Sequence, residues 1–176
     1  MRCKFIVIAF IAFAISISLV GCGSKNKTEN AGEKSKILPK FSFEGSNGKK
    51  YTDKDFRSGV GVMSFVASWC GPCGAELAEI DSIAQKYSKI LALAVTYEPP
   101  EFYSELFDSL KIKIPLVQAD SSFFAAIGIS KLPTRLLIDK GKIISQIVGA
   151  PLPKDSEFYK KLKQALGIED TSTHGN

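Results

Sequence analysis

Apolar residues fall along this chain in two kinds of block, and the order of the blocks predicts a fold. Val60 to Val66 is an apolar, β-branched-leaning run of buried-strand length, and Ile90 to Val95 reads as a second buried strand. Between them Leu77, Ile80, Ala84 and Tyr87 recur at helical spacing, which predicts a helix over about Cys70 to Tyr87. Phe102, Leu106 and Leu110, with Phe107 beside them, predict a second helix after the breaker Glu98-Pro99-Pro100. Ile114 to Val117 is a short strand whose Pro115 puts it at an edge or a strand start. Ser121 to Ile127 predicts a brief helix stopped by Gly128. Thr134 to Ile138 and Lys142 to Val148 predict a hairpin, and Phe158, Leu162, Ala165 and Leu166 a last helix ended by Gly167. Before the first long strand, Phe41 to Phe43 and Lys49 to Tyr51 flank a turn-rich Gly45 to Gly48, a small N-terminal hairpin. Thr52-Asp53 is placed to cap a short helical turn through Arg57. Buried strands alternating with helices argue an α/β domain around a mixed central sheet.

The two ends do not join this pattern. Residues 1–21 have a basic start (Arg2, Lys4) and an apolar run from Phe5 to Val20, shorter than the roughly 20 residues of a comfortable spanning helix. The run fits the hydrophobic region of a secretory signal. Its end, Leu19-Val20-Gly21-Cys22, resembles the bacterial lipoprotein box. That resemblance implies cleavage before Cys22 and acylation of its thiol and new amino group, a firm anchor at about 0.8 kcal/mol per buried CH₂. An uncleaved signal anchor is the alternative, and it too puts the domain outside the cytoplasm. Residues 22–36 read as the lipidated Cys and a polar linker, with a reach of about 20 Å if it is a flexible coil. The domain is then expected over 37–168, with a frayed tail over 169–176.

Removing Arg2 and Lys4 lowers the formal charge from +5 to about +3. Interspersed acids and bases at that level describe a solvated surface with some affinity for anionic lipid, and no nucleic-acid footprint. Of the four cysteines, only Cys70 and Cys73 lie in the globular part. A two-residue spacer closes too short a loop to staple a fold. A zinc site needs about four ligands, and with the sole His, His174, in the tail the chain has no second cluster to supply them. Redox chemistry remains. A Cys at a helix start is stabilised as thiolate by unpaired N–H groups and the macrodipole, and the thiolate is the attacking form. A second Cys three residues on lies one turn away and can resolve the mixed disulfide. Pro72 is tolerated because its missing N–H falls in the first turn. Trp69 is expected to form an apolar wall limiting water at the sulfur.

Phe65-Val-Ala-Ser-Trp-Cys-Gly-Pro-Cys73 resembles the active-site stretch of the thioredoxins. Gly128-Ile-Ser-Lys-Leu-Pro-Thr-Arg-Leu-Leu-Ile-Asp139, followed by Gly149, resembles their second signature. The resemblance covers about residues 60–166. The N-terminal hairpin, the extra helix and strand between Pro99 and Asp120, and Glu76 after Cys73 are closer to membrane-tethered TlpA/ResA-type proteins. It implies a thioredoxin-like fold, a cis bond at Pro133 facing the Cys pair, and substrate pairing by the backbone of Leu132. It also implies disulfide-containing client proteins, including those of cytochrome c maturation, and an upstream membrane electron donor. No cofactor or metal is expected, and the chain is expected to be a monomer.

Two departures from the family matter. Many cytosolic thioredoxins carry an Asp at the position of Ser64, where it helps take a proton from the second Cys; Glu76 is the candidate substitute, the alternative being a solvated helix residue. Ala78 stands where TlpA/ResA-type proteins often have Pro, so the helix is expected to lack their kink. The expected activity is reduction of extracytoplasmic disulfides. Disulfide formation is the first rival, although Gly71-Pro72 resembles the reducing members. A Sco-like copper protein would have Cys-x-x-x-Cys and a core His, a peroxiredoxin Thr-x-x-Cys with a nearby Arg, and a non-catalytic adaptor would not need both cysteines. The two-residue spacing and the tail position of His174 argue against the first, Ser68 only two residues before Cys70 against the second, and intact Cys70 and Cys73 against the third.

Overall fold

The computed structural model describes residues 36–149, 152–154 and 156–168. The expected signal peptide, Cys22, the linker as far as residue 35, and the tail with His174 lie outside the described residues. None of the described helices is long and apolar enough to cross a membrane.

A central sheet has the order β1-β8-β7-β4-β5-β6. Its strands are β1 (Lys36–Ile37), β4 (Val60–Phe65), β5 (Leu91–Thr96), β6 (Leu116–Gln118), β7 (Thr134–Asp139) and β8 (Lys142–Val148). The intervening β2 (Ser42–Glu44) and β3 (Lys50–Thr52) form the expected separate hairpin. β4, β5 and β6 run parallel, and β7, β8 and β1 add antiparallel on the other side. The helices are α1 (Cys73–Lys86), α2 (Ser104–Leu110), α3 (Ser121–Ile127) and α4 (Glu157–Ala165), with 3-10 turns at Asp53–Phe56 and Pro100–Tyr103. This is the mixed, helix-flanked thioredoxin-like sheet that the blocks predicted. β6 is the edge strand beside Pro115, and the turn after Thr52 is closed by its N–H donating to Asp55 at 2.7 Å.

Every residue of β4 is buried, because both faces of the sheet are covered. Val62 packs with Leu77, Ile80 and Phe158 on the α1/α4 face, while Met63 and Phe65 pack with Phe123 and Phe124 of α3 on the other. α3 is closed at both ends by its own sequence. The Asp120 carboxylate accepts from the Phe123 N–H at 2.8 Å, and Gly128 takes φ +85°, a left-handed cap that suits a residue without Cβ.

Two boundaries differ from expectation. Lys36, assigned to the linker, pairs with Ile143 as the first residue of β1. Two exposed residues give no periodicity to read, and the sheet edge supplies the pairing. The regular helix begins at Cys73, not near Cys70. Residues 70–72 form a tighter turn in which the Cys73 N–H donates to the Cys70 carbonyl at 3.0 Å.

Candidate active site

β4 delivers the chain to the C-terminal edge of the parallel strands and releases it into a loop before α1. The loop stays in the sheet for one more bond, Val66 N–H to Val95 carbonyl at 2.9 Å, and then turns, Cys70 N–H donating to Ala67 at 3.1 Å. At its end Cys70 and Cys73 are joined as a disulfide, with Cα atoms 5.4 Å apart. Cys70 is the more accessible of the two, 8% exposed against 1%.

The Leu132–Pro133 peptide bond is cis, as the resemblance implies. The strand that follows it, β7, lies directly beside β4, with Thr134 opposite Phe65. Leu132 packs partly buried against both core faces. Between this loop and the cysteine loop runs a groove of about 500 Å³, lined mainly by Trp69, Tyr97, Phe124, Ile129, Leu132 and Val148. Trp69 is 69% exposed, so it is a wall of the groove more than a lid on the sulfur.

Glu76 is fully buried, which excludes the solvated alternative for its side chain. Its Oε1 accepts from Ser64 Oγ at 2.8 Å and Arg135 Nε at 2.9 Å, and its Oε2 from Arg135 Nη2 at 2.6 Å. Arg135 Nη2 also meets Glu79 at 2.8 Å, and the guanidinium lies 4.7 Å over the Phe158 ring. Glu79 is held further by the Leu152 N–H at 3.1 Å and by the Tyr159 hydroxyl. Burial works to lower the Arg135 pKa, but bonds and charge from Glu76 and Glu79 outweigh it and raise it. For Glu79 burial works upward, and hydrogen bonds from Arg135 and Tyr159 carry the carboxyl below its ordinary range. Burial, followed by the hydrogen bond to Glu79, pushes the Tyr159 phenol up. Lys154 Nζ donates to the Tyr159 hydroxyl at 3.1 Å, so the cluster sets Glu76 and Glu79 against Arg135 and Lys154.

Sequence reasoning had found Cys70, Cys73, Glu76, Trp69, Leu132 and Pro133, and the structure gathers them at one edge of the sheet. It missed Arg135, which lies 59 residues from Glu76 along the chain, and Glu79, which lies 56 residues from Arg135. The continuous apolar run Leu136 to Ile138 directly after Arg135 marks a fully buried strand and could have signalled a cation inside the core. It also missed Glu98, which accepts from the Ser68 N–H two residues before Cys70. Burial works to raise the Glu98 carboxyl, but hydrogen bonds from Ser68 and Tyr103 hold it below its ordinary range. Among the described residues no three His, Cys, Asp or Glu side chains are grouped to hold a metal ion.

A disulfide on the turn entering a helix, beside a cis-proline at the start of an adjacent antiparallel strand, defines a thiol–disulfide oxidoreductase of the thioredoxin superfamily. The chain belongs to the Redoxin family, whose sequence pattern matches residues 31–162, and is of the ResA/TlpA type. It is 27% identical to the thiol-disulfide oxidoreductase ResA of Bacillus thuringiensis subsp. konkukian, across 86% of this chain and 95% of that one. A thiol:disulfide interchange protein DsbE from Chlorobium tepidum superposes with TM-score 0.67 at 26% identity, covering 77% of this chain and 99% of that one. The pneumococcal exposed lipoprotein thioredoxin Etrx1 from Streptococcus pneumoniae gives 0.62 at 26%, covering 72% and 99%.

The buried pair generates a stability prediction. Arg135→Leu strands two carboxylates in the α1/β7 interface, which should cost about 3–5 kcal/mol. Adding Glu76→Gln should recover part of the loss. Urea denaturation followed by far-UV circular dichroism measures both. A loss for Arg135→Leu no larger than the roughly 1 kcal/mol of a surface pair would show that the cluster does not hold α1 to the sheet.

Proposed function

We propose that the protein reduces disulfides in extracytoplasmic client proteins, working from a membrane to which Cys22 tethers it. The observation that carries the reading is the charge around the dithiol. Cys70 is the nucleophile. Its thiolate attacks one sulfur of a client disulfide, forms a mixed disulfide and releases the other client sulfur as thiolate. Cys73, as thiolate, attacks Cys70 Sγ, and the client leaves fully reduced. Two electrons pass to the client, the Cys70–Cys73 disulfide forms, and a membrane dithiol donor must return two electrons and two protons. Leu132 pairs with the extended client backbone beside Pro133, and Trp69 walls the groove. Proteins of cytochrome c maturation are one client class that the family resemblance suggests.

Direction follows from how strongly the fold favours a Cys70 thiolate, since stabilising it favours the reduced dithiol and makes the couple oxidising. The end of α1 contributes its partial positive charge. Gly71 and Pro72 add no cation between the cysteines. The cluster one turn beyond Cys73 adds no net positive charge, Glu76 and Glu79 facing Arg135 with Lys154 on Tyr159, and the Glu98 carboxylate sits on Ser68 ahead of Cys70. These charges oppose extreme thiolate stabilisation. The couple should therefore lie toward the thioredoxin end, about −270 mV. Equilibration with glutathione buffers and trapping of the thiols measures it, and a value near the −120 mV of strong oxidants would reverse the direction.

Glu76 assists deprotonation of Cys73 during resolution, in place of the acid that Ser64 replaces. It stands three residues after Cys73 on α1, and Ser64 and Arg135 fix its carboxylate. Glu76→Gln should slow client release from the mixed disulfide several-fold while the first attack changes little. Stopped-flow of the two steps separates them, and equal rates for both proteins would remove Glu76 from the chemistry.

The tether is supported by Leu19-Val20-Gly21-Cys22 and by likeness to a lipoprotein thioredoxin. Mass spectrometry of protein extracted from membranes should find an acylated Cys22 at the amino terminus. Recovery of an intact Met1 would refute cleavage and lipidation together.

A further inference from the structure

We propose that Glu98 is a positioning residue: with Tyr97 it braces the loop that delivers Cys70 and fixes the Trp69 wall of the groove. Past Val66 the loop leaves the sheet, and two side chains from the end of β5 reach across 28 to 30 residues of sequence to hold it. Glu98 grips Ser68 with both oxygens: Oε2 accepts from the Ser68 N–H at 2.6 Å and Oε1 from the Ser68 hydroxyl at 3.0 Å. Tyr97 Oη accepts from the Trp69 indole N–H at 3.0 Å. The held residues are the two immediately before the nucleophile.

The foot of the brace is rigid. Glu98 Oε2 also accepts from the Tyr103 hydroxyl at 2.8 Å, and Tyr103 is 1% exposed. The Tyr103 hydroxyl is 2.9 Å from Thr96 Oγ1, which accepts from the Glu98 N–H at 3.1 Å. The bonds close a ring anchored on the last residue of β5. Tyr97 is braced in turn by its ring edge on Phe124, 5.6 Å between centroids. Trp69, Tyr97 and Phe124 are therefore one connected groove wall.

A carboxylate used only to stabilise the fold would join buried elements, as Glu79 does. Glu98 joins a buried foot to an exposed loop whose Trp69 stands mostly in water. Holding the wall in place before a client arrives removes part of the ordering cost of binding. The brace should therefore act on client affinity more than on the chemical step.

Trp69 is the only tryptophan of the chain, so its fluorescence reports this loop alone. The experiment compares wild type with Glu98→Ala, Glu98→Gln and Tyr97→Phe in the full chain. It measures Trp69 anisotropy decay in the oxidised state, and KM and kcat for exchange with a disulfide-bonded peptide bearing an aromatic residue beside its cysteine. Glu98→Ala should add a fast component to the decay and raise KM about two- to tenfold, with a smaller change in kcat. Glu98→Gln keeps an acceptor for the Ser68 N–H and should recover most of both. Tyr97→Phe should free the indole while keeping the ring on Phe124. Wild-type decay and KM in Glu98→Ala would overturn the brace. So would equal loss in Glu98→Gln and Glu98→Ala, which would assign the effect to charge. The KM readout rests on the groove being the client site. The decay does not, so a failure of that reading would leave the loop measurement to decide the brace.

Discussion

The arrangement of the site depends on one buried ion pair, Arg135 with Glu76. Glu76 is on α1, one turn after Cys73, and Arg135 is on β7, two residues after cis-Pro133. The two halves of the reacting centre come from segments about 60 residues apart, and this pair joins them inside the protein. Such a join is costly unless each ion keeps its hydrogen bonds. Both Glu76 oxygens are occupied, Glu79 takes a further bond from the guanidinium and Phe158 of α4 covers its face, while Arg135 Nη1 is buried without a hydrogen-bond partner. Breaking the pair would leave charge where water cannot reach it.

Around that fixed point the site divides by accessibility. Below, Cys73, Glu76 and Ser64 are sealed, suited to a resolving step that occurs after the client has docked. Above, Trp69, Tyr97 and Val148 are exposed and apolar, suited to meeting a partner. Cys70 is at the boundary. Its loop must be open enough for a client sulfur to approach and ordered enough that Cys73 remains one turn away. The sheet holds only the start of the loop and α1 only its end, so what lies between needs its own anchors.

The regular elements were legible because their signals are local. Apolar runs marked β4 and β5, and α3 announced itself by its own short block and the Gly128 after it. The Cys pair and the proline loop were legible as motifs. The electrostatics were not. Nothing local assigns a partner to Arg135, Glu79 or Glu98, and only the pairing of β7 against β4 and the return of β5 beside the cysteine loop give them partners. β1 escaped for a related reason: two exposed residues have no pattern, and they become a strand because β8 presents a free edge. Glu76 was found from the family resemblance, but its inward direction depends on Arg135, which the resemblance did not reveal.

The serine at position 64 follows from the same balance. Many thioredoxins carry an acid there, under the second cysteine. Here the guanidinium already faces two carboxylates, and a third beside it would add a like charge in a low-dielectric interior. An ionised Asp would also have no proton to offer Glu76, whereas the Ser64 hydroxyl donates to Oε1 at 2.8 Å. Position 64 is a donor here, and the acid it serves stands one element over, on the helix. Once on the helix the acid requires a cation to be buried at all, and the strand beside the proline loop is the nearest element that can supply one. Ser64, Glu76 and Arg135 are thus one solution to a single constraint, and a change at any of the three alters what the other two must satisfy.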